Sequence, residues 1–129
     1  MRANTLHHVS INVTDLERAR RFYAEVLGLE EIPRPPFDFP GAWYRLGDRQ
    51  LHLIVHPATH TLRGTTAISS REGHFAIGVE SFEAARARLE ASGIPFDARP
   101  RGRTPWAQIF LADPDGNLIE LSAGQPPSS

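Results

Sequence analysis

The chain has 129 residues, a common length for one domain and long enough to bury an apolar core without disulfides. Its 15 acidic and 14 basic residues leave a net charge of −1, which argues against nucleic acid or an anionic membrane surface as a partner. Cysteine and lysine are both missing, so thiolate metal sites, disulfides, cysteine nucleophiles and Schiff-base chemistry are excluded. Because the sequence also shows no apolar leader and no membrane-spanning run, we expect a cytoplasmic protein.

The first predicted unit, module one, covers about residues 5–56 and begins with a strand. Residues 6–13 alternate between apolar and polar side chains, a pattern typical of a half-buried strand. The polar face of this strand carries His8, Ser10 and Asn12.

A helix and further strands are expected in the rest of module one. The pair Thr14-Asp15 can cap the helix, apolar residues then recur at three- and four-residue spacings, and Gly28 can end it. A Pro-rich stretch follows and leads to two predicted strands at 42–46 and 50–55.

The second predicted unit, module two, covers about residues 73–122 and repeats this order. Its helix can be capped by Ser81 and ended by Gly93. The strands expected in this copy are 74–79, 106–111 and 117–121.

The two modules indicate an internal duplication. An offset of 66 residues relates His8 to His74, and an offset of 65 residues relates Gly28 to Gly93. We therefore predict one α+β domain, residues 1–129, built from two βαβββ modules whose mixed sheets curve into a cup with the helices outside. A linker is expected at about 57–72 and a frayed tail at 123–129.

Four side chains of metal-ligand type lie on the predicted strand faces that do not cover a helix. Since each helix must cover the apolar face of its sheet, the opposite face is where polar groups are informative. Three imidazoles and one carboxylate suit a first-row divalent ion such as Zn, Ni, Co, Mn or Fe. The candidate ligands of one such ion are His8, His52, His74 and Glu120.

Several motifs together resemble the vicinal oxygen chelate superfamily, which contains glyoxalases, bleomycin-resistance proteins and extradiol dioxygenases. The resemblance covers nearly the whole chain and points to a glyoxalase-like single-domain member. The segments that carry it are residues 8–16 (HVSINVTDL), 22–28 (FYAEVLG), 73–79 (GHFAIGV) and 113–121 (DPDGNLIEL).

The resemblance implies a role for each candidate ligand. His8 and His74 match the first-strand ligands of the two modules, and Glu120 matches the carboxylate ligand of the last strand. His52 stands at the remaining ligand position, where glyoxalase I and the epimerases usually carry Glu or Gln. Asn12 stands where glyoxalase I carries an Arg for glutathione, so the use of glutathione is left open.

The leading functional interpretation is a divalent-metal-dependent isomerase or lyase of glyoxalase type. The metal would polarise two vicinal oxygens of a small substrate, while Glu120, with His52 as its partner, would transfer a proton. The alternative is a non-catalytic small-molecule binding module of the bleomycin-resistance type, and the third interpretation is an extradiol-type dioxygenase.

A substrate pocket and a homodimer complete the expectation. By analogy, the modules pair either within one chain or across a two-fold dimer, with the sites at or near the interface. The residues expected to line the pocket are Ser10, Asn12, Trp43, Arg103, Trp106 and Phe110.

Overall fold

A computed structural model describes residues 1–56 and 58–128, and Pro57 of the predicted linker and Ser129 of the predicted tail lie outside this part. The chain divides into two compact units, Met1–Leu62 and Arg63–Ser129. Each unit folds in βαβββ order with a four-stranded mixed sheet. The predicted α+β fold of two βαβββ modules is therefore confirmed.

In the first unit, the strand order across the sheet is β1-β4-β3-β2. The first strand runs parallel to β4, and the other neighbours are antiparallel. The elements are β1 (His8–Val13), an α-helix α1 (Leu16–Arg20) that continues as a π-helical segment (Arg21–Val26), β2 (Glu31–Ile32), β3 (Gly41–Leu46) and β4 (Arg49–Val55).

The second unit has the same arrangement, with strand order β5-β8-β7-β6 and only the β5–β8 pair parallel. Its elements are β5 (Phe75–Gly78), α2 (Phe82–Ser92), β6 (Asp97–Arg99), β7 (Ala107–Ala112) and β8 (Leu118–Ala123).

The predicted helix caps are present in both units. The carboxylate of Asp15 accepts a hydrogen bond from the backbone of Arg18, and the hydroxyl of Ser81 accepts one from the backbone of Ala84. Gly93 ends α2 with a left-handed φ of 74°, a conformation that a side chain would strain.

The three predicted strands of module two each begin one residue later than predicted, at Phe75, Ala107 and Leu118. The β5 ladder starts at the pair Phe75–Ile119, so His74 precedes the strand. The β7 ladder starts at Ala107, and the carbonyl of the preceding Trp106 accepts a hydrogen bond from the hydroxyl of Thr104.

The helix-facing sides of the sheets form the cores of the two units. In the first unit Val13, Leu51 and Leu53 are fully buried, and in the second unit Ile109 and Ile119 are. Along β4 and β8 these core residues alternate in position with His52 and Glu120, but both of these candidate ligands are buried as well, so β4 and β8 are covered on both faces there. Within residues 1–56 and 58–128, no helix has the length and apolar character needed to cross a membrane.

Candidate functional site

The open face of the first sheet carries a stack of three rings from three neighbouring strands. His52 on β4 lies between His8 on β1 and Trp43 on β3. The ring centroids are 4.3 Å apart for His8 and His52, and 4.0 Å apart for His52 and Trp43, whose planes are only 5° from parallel. The stack buries His52 to 8 % exposure, while His8 stays exposed.

Hydrogen bonding and burial determine the state of His52. The side-chain oxygen of Gln50 lies 2.8 Å from Nε2 of His52 and can only accept, so this nitrogen carries the proton of the neutral ring. Burial lowers the pKa of His52, and the nearby His8, His7 and Arg34 lower it further. The ring is therefore neutral at pH 7 and keeps its lone pair on Nδ1.

The other two predicted polar residues of β1 differ in their surroundings. Ser10 is exposed and stands opposite His52 in the strand register. The amide oxygen of Asn12 accepts hydrogen bonds from the hydroxyls of Thr59 at 2.7 Å and Thr61 at 2.6 Å. Asn12 thus holds the segment that follows β4 against β1, and its role in a substrate pocket stays a prediction.

The open face of the second sheet is organised around Glu120 on β8, which is buried. One carboxylate oxygen accepts from the hydroxyl of Ser122 at 2.6 Å and from the indole of Trp106 at 3.3 Å. Burial by itself raises the pKa of Glu120, but hydrogen bonds from Ser122, Trp106, Gln108 and His74 outweigh it, and the net pKa is lowered. Glu120 is therefore ionised at neutral pH.

His74 lies beside Glu120 with its tautomer set by the backbone. Its Nδ1 is 2.8 Å from the carbonyl oxygen of Glu72, which can only accept, so Nδ1 carries a proton. Its Nε2 is 3.3 Å from the second carboxylate oxygen of Glu120. A cation shared by Nε2 and this carboxylate oxygen, either a proton carried by the ring or a metal ion, would account for their closeness.

The His74–Glu120 pair fits one half of a divalent-metal site. Two ligand atoms about 2.1 Å from one ion are separated by roughly 3.3 Å when the angle at the ion is about 100°. The bond from Nδ1 to a backbone carbonyl is also the outer-shell contact typical of metal-binding histidines. Among residues 1–56 and 58–128, however, no group of three or more His, Asp or Glu side chains is arranged to hold an ion.

The structure thus brings the four predicted ligands together as two pairs. His8 and His52 are neighbours in the first unit, and His74 and Glu120 are neighbours in the second. The sharing of one ion by all four residues stays a prediction.

A cleft of about 460 Å³ lies on the second unit beside the His74–Glu120 pair. Two predicted pocket residues, Arg103 and Phe110, line it. A third, Trp106, donates a hydrogen bond to Glu120, which is part of the lining. The complete lining is Ser70, His74, Arg99, Gly102, Arg103, Thr104, Gln108, Phe110 and Glu120.

Sequence reasoning missed the residues that hold the ligands in place. Ser122 and Gln108 bond to Glu120, and Gln50 bonds to His52. Ser122 and Gln50 each stand two residues from a candidate ligand on the same strand, so the period-two alternation was a signal that could have found them. Gln108 is paired with Ser122 only through the register of β7 with β8.

Comparison with known proteins places this geometry in context. A family model described as the Glyoxalase/Bleomycin resistance protein/Dioxygenase superfamily matches residues 5–121. The chain is 32% identical over 120 residues to Glyoxylase I 4 of Arabidopsis thaliana, a match that spans 91% of this chain and 69% of that protein. It is 29% identical over 123 residues to a lactoylglutathione lyase of Haemophilus influenzae, with 88% of each chain covered.

A solved structure has the same fold over nearly the full length. It is that of a glyoxalase family protein from Bacillus anthracis, with a TM-score of 0.80 and 25% identity, and the match covers 96% of this chain and 98% of the other. The relatives carry enzyme names, and the expectation of a glyoxalase-like enzyme is confirmed at that level.

Proposed function

The chain belongs to the Glyoxalase/Bleomycin resistance protein/Dioxygenase superfamily, and from this premise we propose that it is a divalent-metal-dependent lyase or isomerase acting on a small molecule. The observation that carries the proposal is the distance of 3.3 Å between Nε2 of His74 and a carboxylate oxygen of Glu120, which suits two ligands of one ion. A metal ion bound by both atoms would take the place of a proton shared between them.

The ionisation states of the candidate ligands support metal binding at neutral pH. A ligand must be deprotonated to bind a metal, which requires a neutral imidazole and an ionised carboxylate. The lowered pKa of His52 and the lowered pKa of Glu120 both meet this requirement. In the proposal His8, His52, His74 and Glu120 hold one divalent ion, which these nitrogen and oxygen donors leave open among Zn, Ni, Co, Mn and Fe.

The reaction proposed for this site is a proton transfer between adjacent carbons. When bound, the ion would supply Lewis-acid chemistry to two neighbouring oxygens of the substrate. Glu120 is the main proton-transfer group, since it lies at the cleft that would hold the reacting carbons. His52, kept neutral by burial, is its partner because it retains a lone pair that can accept a proton.

One observation favours a second candidate function, a non-catalytic small-molecule binding module. In the described part of the chain no three ligand-type side chains converge, as a self-contained metal enzyme would need. A binding module would use the same cleft without an ion. The metal content of the purified protein distinguishes the two candidates.

The test combines metal analysis with an activity assay. We expect about one divalent ion per chain, and turnover of hemithioacetals or of acyl-CoA epimers by the metal-loaded protein. The substitution Glu120→Gln removes the charge but keeps the shape, so it should lower metal affinity at least about tenfold and abolish turnover. Glu90→Gln, which changes an exposed glutamate on α2, should retain both properties.

Two results would contradict the proposal: a wild-type protein that binds no divalent ion, or a Glu120→Gln variant that binds metal as tightly as the wild type.

Assembly and location belong to the same proposal. We expect a homodimer whose sites lie at or near the interface, which light scattering would report as twice the chain mass of 14.3 kDa. The cytoplasmic location also stays a prediction.

A further inference from the structure

The segment before β7 carries three arginines at alternate positions, and two of them are engaged. Arg99 donates to a carboxylate oxygen of Asp97 at 2.8 Å, and its guanidinium carbon lies 5.0 Å from the ring centroid of Phe110. Arg101 donates to the side-chain oxygen of Gln125 at 2.9 Å. Both guanidinium groups thus have a structural task.

Arg103 differs from its two neighbours. It lines the 460 Å³ cleft, yet it forms no hydrogen bond and no ion pair with any of the described residues. The carboxylate of the cleft lining, that of Glu120, already accepts hydrogen bonds from Ser122, Trp106 and Gln108 and lies beside His74. Arg103 therefore presents its donors to whatever enters the cleft.

Among the charged residues of the cleft lining, Arg103 is the cation left available to an anion. Arg99 is paired with Asp97 at 2.8 Å, and the carboxylate of Glu120 is held by its own hydrogen-bond donors. A cation held by the His74–Glu120 pair would make the charge of the cleft more positive. Arg103 presents a planar fork of donors, which matches the oxygens of a carboxylate or a phosphate group and binds them in charge-assisted pairs.

We propose that Arg103 is a substrate-binding residue that anchors an oxyanion group, a carboxylate or a phosphate, of the small molecule bound in this cleft. The volume of about 460 Å³ suits such a molecule, since ligand pockets range from roughly 300 to 1,000 Å³. Phe110 supplies an apolar surface between Arg99 and His74, 5.6 Å from the ring centroid of the latter.

The oxyanion contact also narrows the substrate class. The substrate would carry two neighbouring oxygens toward the His74–Glu120 pair and an anionic group toward Arg103. This description of the substrate rests on the proposed function. The binding of an oxyanion by Arg103 does not depend on it.

The first experiment measures anion binding without metal. Chelator-treated protein is titrated separately with sodium phosphate and with sodium propionate at constant ionic strength, and binding is followed by NMR shifts of backbone amides around the cleft. The substitution Arg103→Gln should weaken the binding of at least one anion by about tenfold or more, because it removes the charge and the fork. Arg103→Lys should have an intermediate effect, since a lysine keeps only the charge.

Arg101→Gln is the matched control, two residues away and outside the cleft lining. It should leave the dissociation constants within about twofold of the wild-type values, because an exposed charge outside the cleft contributes little to binding. The proposal is overturned if neither anion binds the wild type, if Arg103→Gln binds both anions as the wild type does, or if Arg101→Gln loses as much. The anion whose binding depends on Arg103 identifies the head group.

The second experiment uses the metal-loaded protein and pairs of substrates that differ only in a carboxylate or its methyl ester. Arg103→Gln should raise KM for the acid about tenfold while leaving kcat and the ester almost unchanged, since the contact lies away from the reacting carbons. An equal loss for acid and ester would contradict the assignment. If the wild type turns over neither substrate, the proposed function fails, and the anion titration still decides the role of Arg103.

Discussion

Single residues on the open sheet faces are held by contacts that reverse the usual effect of burial. Glu120 is buried, and burial disfavours a charged carboxylate. Its hydrogen bonds, among them the 2.6 Å bond from Ser122, restore the preference for the ionised form. A carboxylate that stays charged in a buried position is suited to binding a cation.

Burial has its usual effect on Tyr44 of β3, on the helix-facing side of the first sheet, where it favours the neutral phenol. Tyr44 is fully buried, and its hydroxyl lies 3.5 Å from a carboxylate oxygen of Glu31. Glu31 is in turn paired with Arg20 at 3.2 Å. Burial, followed by the negative charge of Glu31, raises the pKa of Tyr44 from 10.0 to about 12.

This shift predicts an alkaline loss of stability that depends on Tyr44. A group whose folded pKa is raised contributes stability that is present below its unfolded pKa and is lost as pH rises toward the folded value. The wild type should therefore lose on the order of 2 kcal/mol between pH 10 and 12 through this residue, because its pKa rises from 10.0 to about 12 on folding. Tyr44→Phe should not show that part of the loss.

Urea unfolding followed by circular dichroism at pH 8 to 12 measures the effect in both proteins. For each protein the free energy of unfolding is plotted against pH. The difference between the slopes of the two plots isolates the contribution of Tyr44 from those of other groups that titrate in alkali. Identical slopes above pH 10 would show that the phenol ionises equally easily in the folded and unfolded chain.

At the level of elements, the two modules differ by one residue in the helical region. From Val13 to Gly28 there are fifteen positions, whereas from Val79 to Gly93 there are fourteen. The first unit absorbs this difference in the π-helical segment Arg21–Val26, where the backbone of Leu27 donates to the carbonyl of Phe22. A π-helical turn holds one more residue than an α-helical turn, so the extra residue need not displace the buried face.

This interpretation predicts that the first helix tolerates the loss of one residue. Deletion of the exposed Arg21 should convert the π-helical segment into a regular α-helix and change the free energy of unfolding by no more than about 1 kcal/mol. Chemical denaturation followed by circular dichroism provides the measurement.

The matched control is deletion of the exposed Arg88 in α2, which is a regular α-helix. Removing a residue there rotates the buried Leu89 by about 100° out of its core, and the expected loss is roughly 3 kcal/mol or more. If both deletions destabilise equally, the π-helical segment has another cause than the additional residue.

At the level of the whole molecule, the two candidate ligand pairs belong to different units. His8 and His52 are neighbours on the first sheet, whereas His74 and Glu120 are neighbours on the second. A shared ion would therefore couple the stability of both units, within one chain or across a dimer.

The prediction is that divalent metal stabilises the protein only when both pairs are intact. With free metal at 100 times the dissociation constant, the free energy of unfolding should increase by about 2.7 kcal/mol. His8→Gln and Glu120→Gln should each remove most of this increase, and the double variant should lose little more than either single one, because each substitution disrupts the same site.

Thermal and urea unfolding with and without added Zn or Mn provide the measurement, and Glu90→Gln serves as the control again. A metal-induced increase that survives His8→Gln undiminished would mean that the second unit binds the ion by itself.

The sequence by itself determined the repeated order of the main elements and the apolar side of the longer strands, but it located neither β2 nor β6. Alternation with period two identifies which side of β1, β4 and β8 is apolar, since a one-residue change would expose the whole core. The repeat at 65 to 66 residues, together with the caps at Asp15 and Ser81, determined that the same unit occurs twice. His8, His52 and Glu120 could be selected because local pattern decides the strand face on which they lie, whereas His74, which precedes β5, was selected by its 66-residue offset from His8.

Only the tertiary structure decided what surrounds those residues. The stacking of His52 on Trp43 and the bond from Trp106 to Glu120 depend on the register between strands and on the path of the segment before β7. Neither is encoded in local spacing, because residues distant in sequence become neighbours only when the sheet is assembled. The same reason explains why Arg103 lines a cleft while Arg99 is paired with Asp97, although both are arginines of one short segment.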